Sequence, residues 1–272
     1  MAKAFSLLSW NVEHFENAGG RVGRVVAKLA EQDPDVFALY EVEGGDVFAE
    51  LVRQLPGYGF HITEGPQVQE VLVGVRAGLG SFFTQRLEFR SGVSTLRPGA
   101  LLTVTVAGKH YPILFLHTKS GSDPRGLGLR DDMLERACAL RETLDALPVA
   151  GGRANYLFVG DLNTMGMKYR FVPSGNISAG EELQKLAAVA QRAKMRLLAK
   201  DEPATWWNGS RSRLRPSDLD HVIAADHLRF KKFSGAEVTV RGWPKEATDA
   251  KKTAWIEKFS DHGMLYLEVQ RV

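Results

Sequence analysis

The chain has 272 residues, 44% hydrophobic and 25% charged, with 35 Lys and Arg against 32 Asp and Glu for a formal net charge of +3. This ordinary globular composition argues against disorder, collagen-like repeats and coiled coil, and the near-balance permits an anionic partner without demanding one. No apolar run approaches the ~20 residues needed to cross a bilayer. The amino-terminal stretch turns polar at Asn11 and Glu13 before any cleavage-site pattern, and the lone Cys138 has no partner for an internal disulfide. A cytoplasmic protein without a secretory leader or membrane span is expected.

Phe5 to Val12 reads as a buried strand. Gly19-Gly20 then opens a helix with Val22, Val25, Val26 and Leu29 on one face, stopped by Pro34. Val36 to Tyr40 is a second apolar strand that delivers Glu41 at its end. Phe48, Leu51, Val52 and Leu55 mark another helix, ended by Pro56-Gly57. Val71 to Val75, Phe82 to Phe89, Leu101 to Val106 and Tyr111 to His117 are strand-like and closely spaced. Turns such as Ala77-Gly78 and Ala107-Gly108 separate them, so hairpins and antiparallel pairing are expected. Met133, Ala137, Leu140, Leu144 and Leu147 stripe a long helix. Tyr156 to Val159 is a strand ending at Gly160-Asp161, and Leu183, Leu186, Ala187, Ala190, Ala193 and Leu197 stripe a further helix. Leu219 to Ala224 and Met264 to Val269 read as closing strands, while Lys-rich Ser234 to Ser260 carries no clear pattern. Without repeats or a linker, one domain over 1–272 is expected. Its fold class would be α/β (α+β): two mixed, mainly antiparallel sheets packed face to face with helices outside.

Polar residues collect at the strand ends: Asn11, Glu41, His117, Asp161 with Asn163, and Asp261-His262, with Asp220-His221 inside a sixth strand. Each has an ordinary turn or surface reading, since Asp and Asn favour turns on their own account; six together point to a site. The set has no thiolate cluster and no HExxH. Carboxylate and amide oxygens suit Mg²⁺ or Mn²⁺ rather than structural zinc, and such ions serve hydrolysis at phosphorus. No GxSxG elbow competes, Cys138 lies on a helix stripe, and Gly126-Leu127-Gly128 is too short for a dinucleotide loop.

Ser9-Trp10-Asn11-Val12, Leu39-Tyr40-Glu41, Leu116-His117-Thr118-Lys119-Ser120, Val159-Gly160-Asp161-Leu162-Asn163, Leu219-Asp220-His221-Val222 and Ser260-Asp261-His262-Gly263 resemble the ordered motifs of the endonuclease/exonuclease/phosphatase superfamily. The resemblance runs from residue 9 to residue 263. It implies a four-layer αββα sandwich and a divalent-metal-dependent phosphoester hydrolase. Carried over residue by residue, it makes Glu41 the principal Mg²⁺ or Mn²⁺ ligand, with Asn11 beside it and Asp261 contributing. It makes Asp161 the group that aligns or deprotonates water, and Asn163 a donor to a phosphate oxygen. His262, oriented by Asp220, would contact the phosphoryl group, and His117 would clamp the phosphate or assist the leaving oxygen. Asp161 and His262 both remain open as the general base. Tyr40 stands where the family often has Gln, and His221 where it often has Tyr. His221 is read as facing away from the reacting atoms.

The substrate is less legible. Thr164-Met165 and His221-Val222 depart from the inositol-phosphatase pattern. Thr205-Trp206-Trp207 resembles the aromatic stretch of abasic-site endonucleases, and Arg211, Arg213 and Arg215 follow it. Aromatics beside arginines suit bases and phosphates; the alternative is that Trp206 packs in the core and the arginines form a solvated loop. Lys119, Arg125 and Arg130 are further phosphate-contact candidates. The expected function is a nuclease cleaving nucleic acid, DNA ahead of RNA, as a monomer. The alternatives are a phosphatase or phosphodiesterase for a small or lipid phosphoester, or a non-catalytic binding module.

Overall fold

Strands facing a common interior alternate their side chains with period two, and that alternation brings the polar strand ends to one place. The computed structural model describes residues 2–16, 20–65 and 69–272, so Gly19, expected to open the first helix, lies outside the described residues. One six-stranded sheet joins β1 (Lys3–Phe15), β2 (Val36–Val42), β3 (Tyr58–Ile62), β4 (Glu70–Arg76), β11 (Thr239–Arg241) and β12 (Met264–Gln270), in the order β11-β12-β1-β2-β4-β3. The other joins β5 (Gly80–Arg86), β6 (Gly99–Val106), β7 (Lys109–His117), β8 (Leu157–Asp161), β9 (Met195–Leu197) and β10 (Asp220–Ala225), in the order β5-β6-β7-β8-β10-β9. Pairs β1/β2 and β7/β8 are parallel; the remaining ladders are antiparallel.

Phe5, Leu7, Val36, Ala38 and Tyr40 of the first sheet share an apolar cluster with Ile113, Phe115, Leu157, Val159, Val222 and Ala224 of the second. The intervening residues face outward. Leu8, Trp10, Phe37 and Leu39 pack with helices α1 (Arg21–Ala30), α2 (Gly45–Gln54) and α5 (Asp249–Lys258). Leu114, Leu116, Tyr156 and Phe158 pack with α3 (Pro124–Asp145) and α4 (Ala179–Arg192). The result is the expected four-layer αββα sandwich. Among the described residues, no helix is long and apolar enough to cross a membrane.

Several local expectations change. In α2 the buried side chains are Val47 and Leu51, while Phe48 and Val52 are exposed. The helix therefore presents a face one position away from the stripe the sequence predicts. β5 ends at Arg86 and Leu87–Arg90 forms a 3-10 turn, which swings Phe89 into the cluster under α3. α3 ends at Asp145, leaving Leu147 exposed. α4 ends at Arg192, and Lys194, at φ 54°, turns the chain so that Leu197 pairs in β9 rather than continuing the helix. Edge strand β3, half-buried except at exposed Gly59, was not anticipated, although Tyr58, Phe60 and Ile62 alternate onto the cluster beneath α1 and α2. The unpatterned Ser234–Ser260 stretch contributes β11 and α5, whose Trp255 and Ile256 cover the first sheet.

Arg130, expected to meet phosphate, is fully buried between α3 and α4. Its guanidinium donates to Glu182 at 2.7 and 3.0 Å and to the carbonyls of Lys119, Gly121 and Gly166 at 3.2, 2.6 and 2.9 Å. All its directional capacity is used inside the protein, which corrects the substrate-contact reading. Truncating one partner of a buried pair strands the other charge. Arg130→Met should therefore lower the urea-unfolding free energy by about 3–5 kcal/mol; an unchanged midpoint with weakened substrate binding would restore the original reading. Gly160 makes a second test. A Cβ there would lie 1.8 Å from the Leu116 carbonyl oxygen, in the ladder that sets His117 opposite Asp161. Gly160→Ala should cost about 1–3 kcal/mol or more by the same measurement.

Candidate active site

Alternation on the inner faces continues past the apolar cluster into polar residues at one end of the sandwich. After Phe5 and Leu7, β1 presents Ser9 and Asn11; after Ile113 and Phe115, β7 presents His117; after Leu157 and Val159, β8 presents Asp161. Register places His117 and Asp220 on either side of Asp161. The Tyr40 hydroxyl lies 3.1 Å from the Ser9 hydroxyl and donates to the Val159 carbonyl at 3.2 Å, closing the apolar interior beneath these groups. The Tyr40 ring also meets the His117 ring edge-on at 6.0 Å. The family-atypical Tyr40 thus supports the site from below.

Asp161 is the hub. Its Oδ1 accepts the Asn163 backbone N–H at 3.0 Å and its Oδ2 accepts the Asn11 amide at 2.9 Å. The same Oδ2 lies 3.6 Å from His117 Nε2 and 3.7 Å from His262 Nε2. Asn11 Nδ2 reaches Glu41 Oε1 at 3.1 Å as well, and its Oδ1 accepts the Glu13 N–H. A backbone N–H can only donate, so this network fixes the amide with its nitrogen toward the carboxylates. Asn11 therefore serves as a donor that holds Glu41 and Asp161 together, and its oxygen does not face them, in contrast to the ligand role the resemblance implies.

His262 Nδ1 and Asp220 Oδ2 are 2.8 Å apart, which aims Nε2 at Asp161. Burial disfavours the His262 charge, but Asp220 and Asp161 outweigh it and raise its pKa to about 10. Burial raises Asp161 to about 7, the neighbouring His262 opposing and Asp220 reinforcing that shift. His117 is pushed well below its ordinary value by burial, then by Arg97 and His262. His117 Nε2 faces two acceptors, Glu41 Oε1 and Asp161 Oδ2, both at 3.6 Å, so the neutral tautomer that fits carries its proton there.

A cation fits this donor set. Asp261 Oδ1 is buried without a hydrogen-bond partner among the described residues, while its Oδ2 accepts the Trp206 indole N–H at 2.6 Å. Glu41 Oε2 accepts the His14 N–H at 3.0 Å and its carboxylate lines a cavity of about 420 Å³. Carboxylate oxygens without thiolates match a hard divalent ion. Asp161, Asp220 and His262 also place ligand atoms within 4.8 Å of one another. The 2.8 Å His262–Asp220 hydrogen bond already engages two of those three groups, while Glu41 and Asp261 both line the cavity.

The cavity gathers Glu41, His117, Asp161, Asn163, Asp261, His262 and Trp206 from the residues singled out in the sequence, with Asn11 and Asp220 directly behind them. Trp206 is half-buried at the rim; Trp207 is the one that packs in the core. Asn163 Nδ2 donates to the Thr118 carbonyl at 3.3 Å. Lys119 is half-buried, its ammonium on the Ser120 carbonyl, and Arg125, Arg211, Arg213 and Arg215 are exposed, with Arg211 3.6 Å from Glu257. His221 points away, bonding Thr164 at 2.8 Å and the Lys200 ammonium at 3.3 Å. Sequence reasoning missed Arg97, which lines the cavity and donates to the Gln69 carbonyl at 2.8 Å. It also missed Glu13, His14, Gln69 and Met165. The available signal for Arg97 was a cation directly before Pro98-Gly99 at the entry to a strand. Nine described non-glycine residues have positive φ, and four of them, Glu13, His14, Glu41 and Asn163, line this cavity. Such backbone concentrates where function holds it.

No curated protein sequence matches the chain. Among solved structures, a truncated TDP2 from Caenorhabditis elegans superposes with a TM-score of 0.69 at 16% identity, covering 98% of both chains. A D. rerio TDP2 complexed with single strand DNA product gives 0.67 at 16% identity, again covering 98% of each. A mannosyl-6-phosphatase from Bacteroides thetaiotaomicron gives 0.60 at 13% identity, covering 98% of this chain and 99% of that one. At these identities the likenesses establish the fold. The family model described as Endonuclease/Exonuclease/phosphatase matches residues 8–262, nearly the whole chain and all the motifs that build the cavity, and the protein belongs to that family.

Proposed function

We propose that this phosphoester hydrolase is a Mg²⁺- or Mn²⁺-dependent phosphodiesterase that cleaves nucleic acid, DNA ahead of RNA, by water attack at phosphorus. The observation that carries the reading is the convergence of two imidazole Nε2 atoms on one oxygen of Asp161, at 3.6 and 3.7 Å, in a cavity that Glu41 and Asp261 also face. Glu41 and Asp261 would hold the cation, which supplies charge neutralisation at the phosphoryl oxygens.

The protein's own groups divide the remaining work. Asp161, raised to about 7 by burial, accepts the proton of the attacking water near neutral pH. His262, held protonated by Asp220 and Asp161, donates from Nε2 to a non-bridging oxygen. Neutral His117, with its proton on Nε2, offers a hydrogen bond to the leaving oxygen and keeps that proton. Arg97 and Asn163 line the same cavity and add donors to the phosphate. For a polymeric substrate the support lies at the rim, where Trp206 and exposed Arg211, Arg213 and Arg215 extend the surface beyond one phosphoester. The product complex of D. rerio TDP2 is a precedent on this fold. The mannosyl-6-phosphatase favours a small phosphomonoester instead. A panel of oligonucleotides, nucleotides and sugar phosphates separates the two: small esters cleaved with DNA untouched would select the second.

Exhaustive chelation should abolish hydrolysis, and Mg²⁺ or Mn²⁺ should restore it; full turnover after chelation would remove the metal from the reading. His262→Ala and Asp161→Asn should each lower kcat by about 10²–10⁴ while circular dichroism stays native. Rates within tenfold of the parent for both would overturn the site.

A further inference from the structure

The chain leaves the catalytic loop through Met165, which lines the cavity, and returns at Ile177. Between them, Met167 and Ile177 close a hairpin by reciprocal backbone hydrogen bonds of 2.7 and 2.9 Å. Its root is held firmly: Arg130 donates to the Gly166 carbonyl, the Gly166 N–H donates to Glu182 at 2.7 Å, and the Lys168 N–H donates to the Ser122 carbonyl at 2.6 Å. The buried Arg130–Glu182 pair, unused by the chemistry, thereby anchors this hairpin beside the cavity.

The tip is the opposite of its root. Residues 168 to 176 are all exposed, including Tyr169 and Phe171, the latter at 86%. The two rings meet edge-on at 6.0 Å, and Phe171, largely exposed, keeps an open face. Cations alternate with them, Lys168-Tyr169-Arg170-Phe171, and no Asp or Glu occurs from Met165 to Ile177. Open aromatic faces beside unopposed cations are what stacked bases and backbone phosphates recognise. A lipid surface would ask for a broader apolar tip, whereas here Val172 is followed by Pro173-Ser174-Gly175-Asn176. Five residues separate Phe171 from Met165, six Cα steps with a reach of at most ~21 Å, within a few nucleotides of the reacting phosphate.

We propose that the hairpin of residues 167–177 is a base-stacking platform for a single-stranded stretch of the nucleic acid whose phosphodiester is cut in the adjacent cavity. The inference rests on the nuclease reading and adds the strand state and the element that selects it. Phe171 supplies the outer ring, Tyr169 supports it, and Lys168 and Arg170 contact the flanking phosphates.

The test compares the parent, Phe171→Ser, Phe171→Trp and the double variant Tyr169→Ser/Phe171→Ser. Each is assayed on a single-stranded DNA oligonucleotide, on the same sequence as duplex, on bis(p-nitrophenyl) phosphate, and for binding to phosphatidylserine vesicles. KM for the single strand should rise about tenfold in Phe171→Ser and further in the double variant, with kcat within twofold. Phe171→Trp should retain the parent KM. Turnover of the small diester should be unchanged in every variant, which shows an intact site. Unchanged KM for the single strand overturns the proposal while leaving the nuclease reading intact. So does loss of binding to phosphatidylserine vesicles in place of a DNA effect, which would make the tip a membrane contact. A parent that cleaves the small diester but neither form of DNA removes the nuclease reading, and the platform with it.

Discussion

A single side-chain amide ties the two sheets together where the chemistry is assembled. Asn11 Nδ2 donates both to Glu41, on the neighbouring strand of its own sheet, and to Asp161, on the opposite sheet. The backbone carbonyl of Asn11 accepts the Ser260 hydroxyl, which in turn accepts the His262 backbone N–H. Four separated stretches of chain are thereby fixed relative to one another. Buried carboxylates are tolerated only where donors satisfy them, and here the donors that satisfy them also set their spacing.

The arrangement carries an electrostatic cost that the fold retains. Burial raises Asp261 to about 6 as it raises Asp161 to about 7, and His262 is charged because Asp220 and Asp161 flank it. Positive φ at Glu13, His14, Glu41 and Asn163 adds backbone strain at the same end of the sandwich. The apolar floor, sealed by the Tyr40 hydroxyl, and the hydrogen-bonded Asn11 network hold these groups in place. Groups so displaced from their solution preferences cluster at functional sites.

The substrate contacts proposed above lie outside that frame, on more exposed rim segments. The hairpin follows directly from the Asn163 motif, while Trp206 and the Arg211–Arg215 loop precede the Leu219-Asp220 motif that opens β10. Arg130 shows how a charged residue of the same neighbourhood serves the opposite purpose. It touches only protein, yet it sets the root of the hairpin whose tip faces solvent.

The layered fold and the gathering of polar strand ends at one cavity were legible because both depend on local pattern. Period-two alternation in Phe5–Asn11 and Tyr111–His117 fixes which side chains face inward, and polar residues ending an inward-facing row have one place to go. Weakly patterned segments were not legible. β3 is a short edge strand whose Tyr58, Phe60 and Ile62 are only partly buried, α2 offers two overlapping stripes, and α5 is amphipathic only in relation to the sheet it covers. Nor did residue type distinguish Arg130, buried against Glu182, from Arg211 in solvent, or show that the Asn11 nitrogen rather than its oxygen meets the carboxylates. Arg97 joined the site unannounced, since it lies between motifs and reaches the cavity only when the two sheets close. The sequence by itself determined which chemistry-bearing groups end the inner strands, because alternation is a property of a single strand. Tertiary structure alone decided their partners, protonation and exposure, because those depend on what the opposing sheet and the rim bring within a few ångströms.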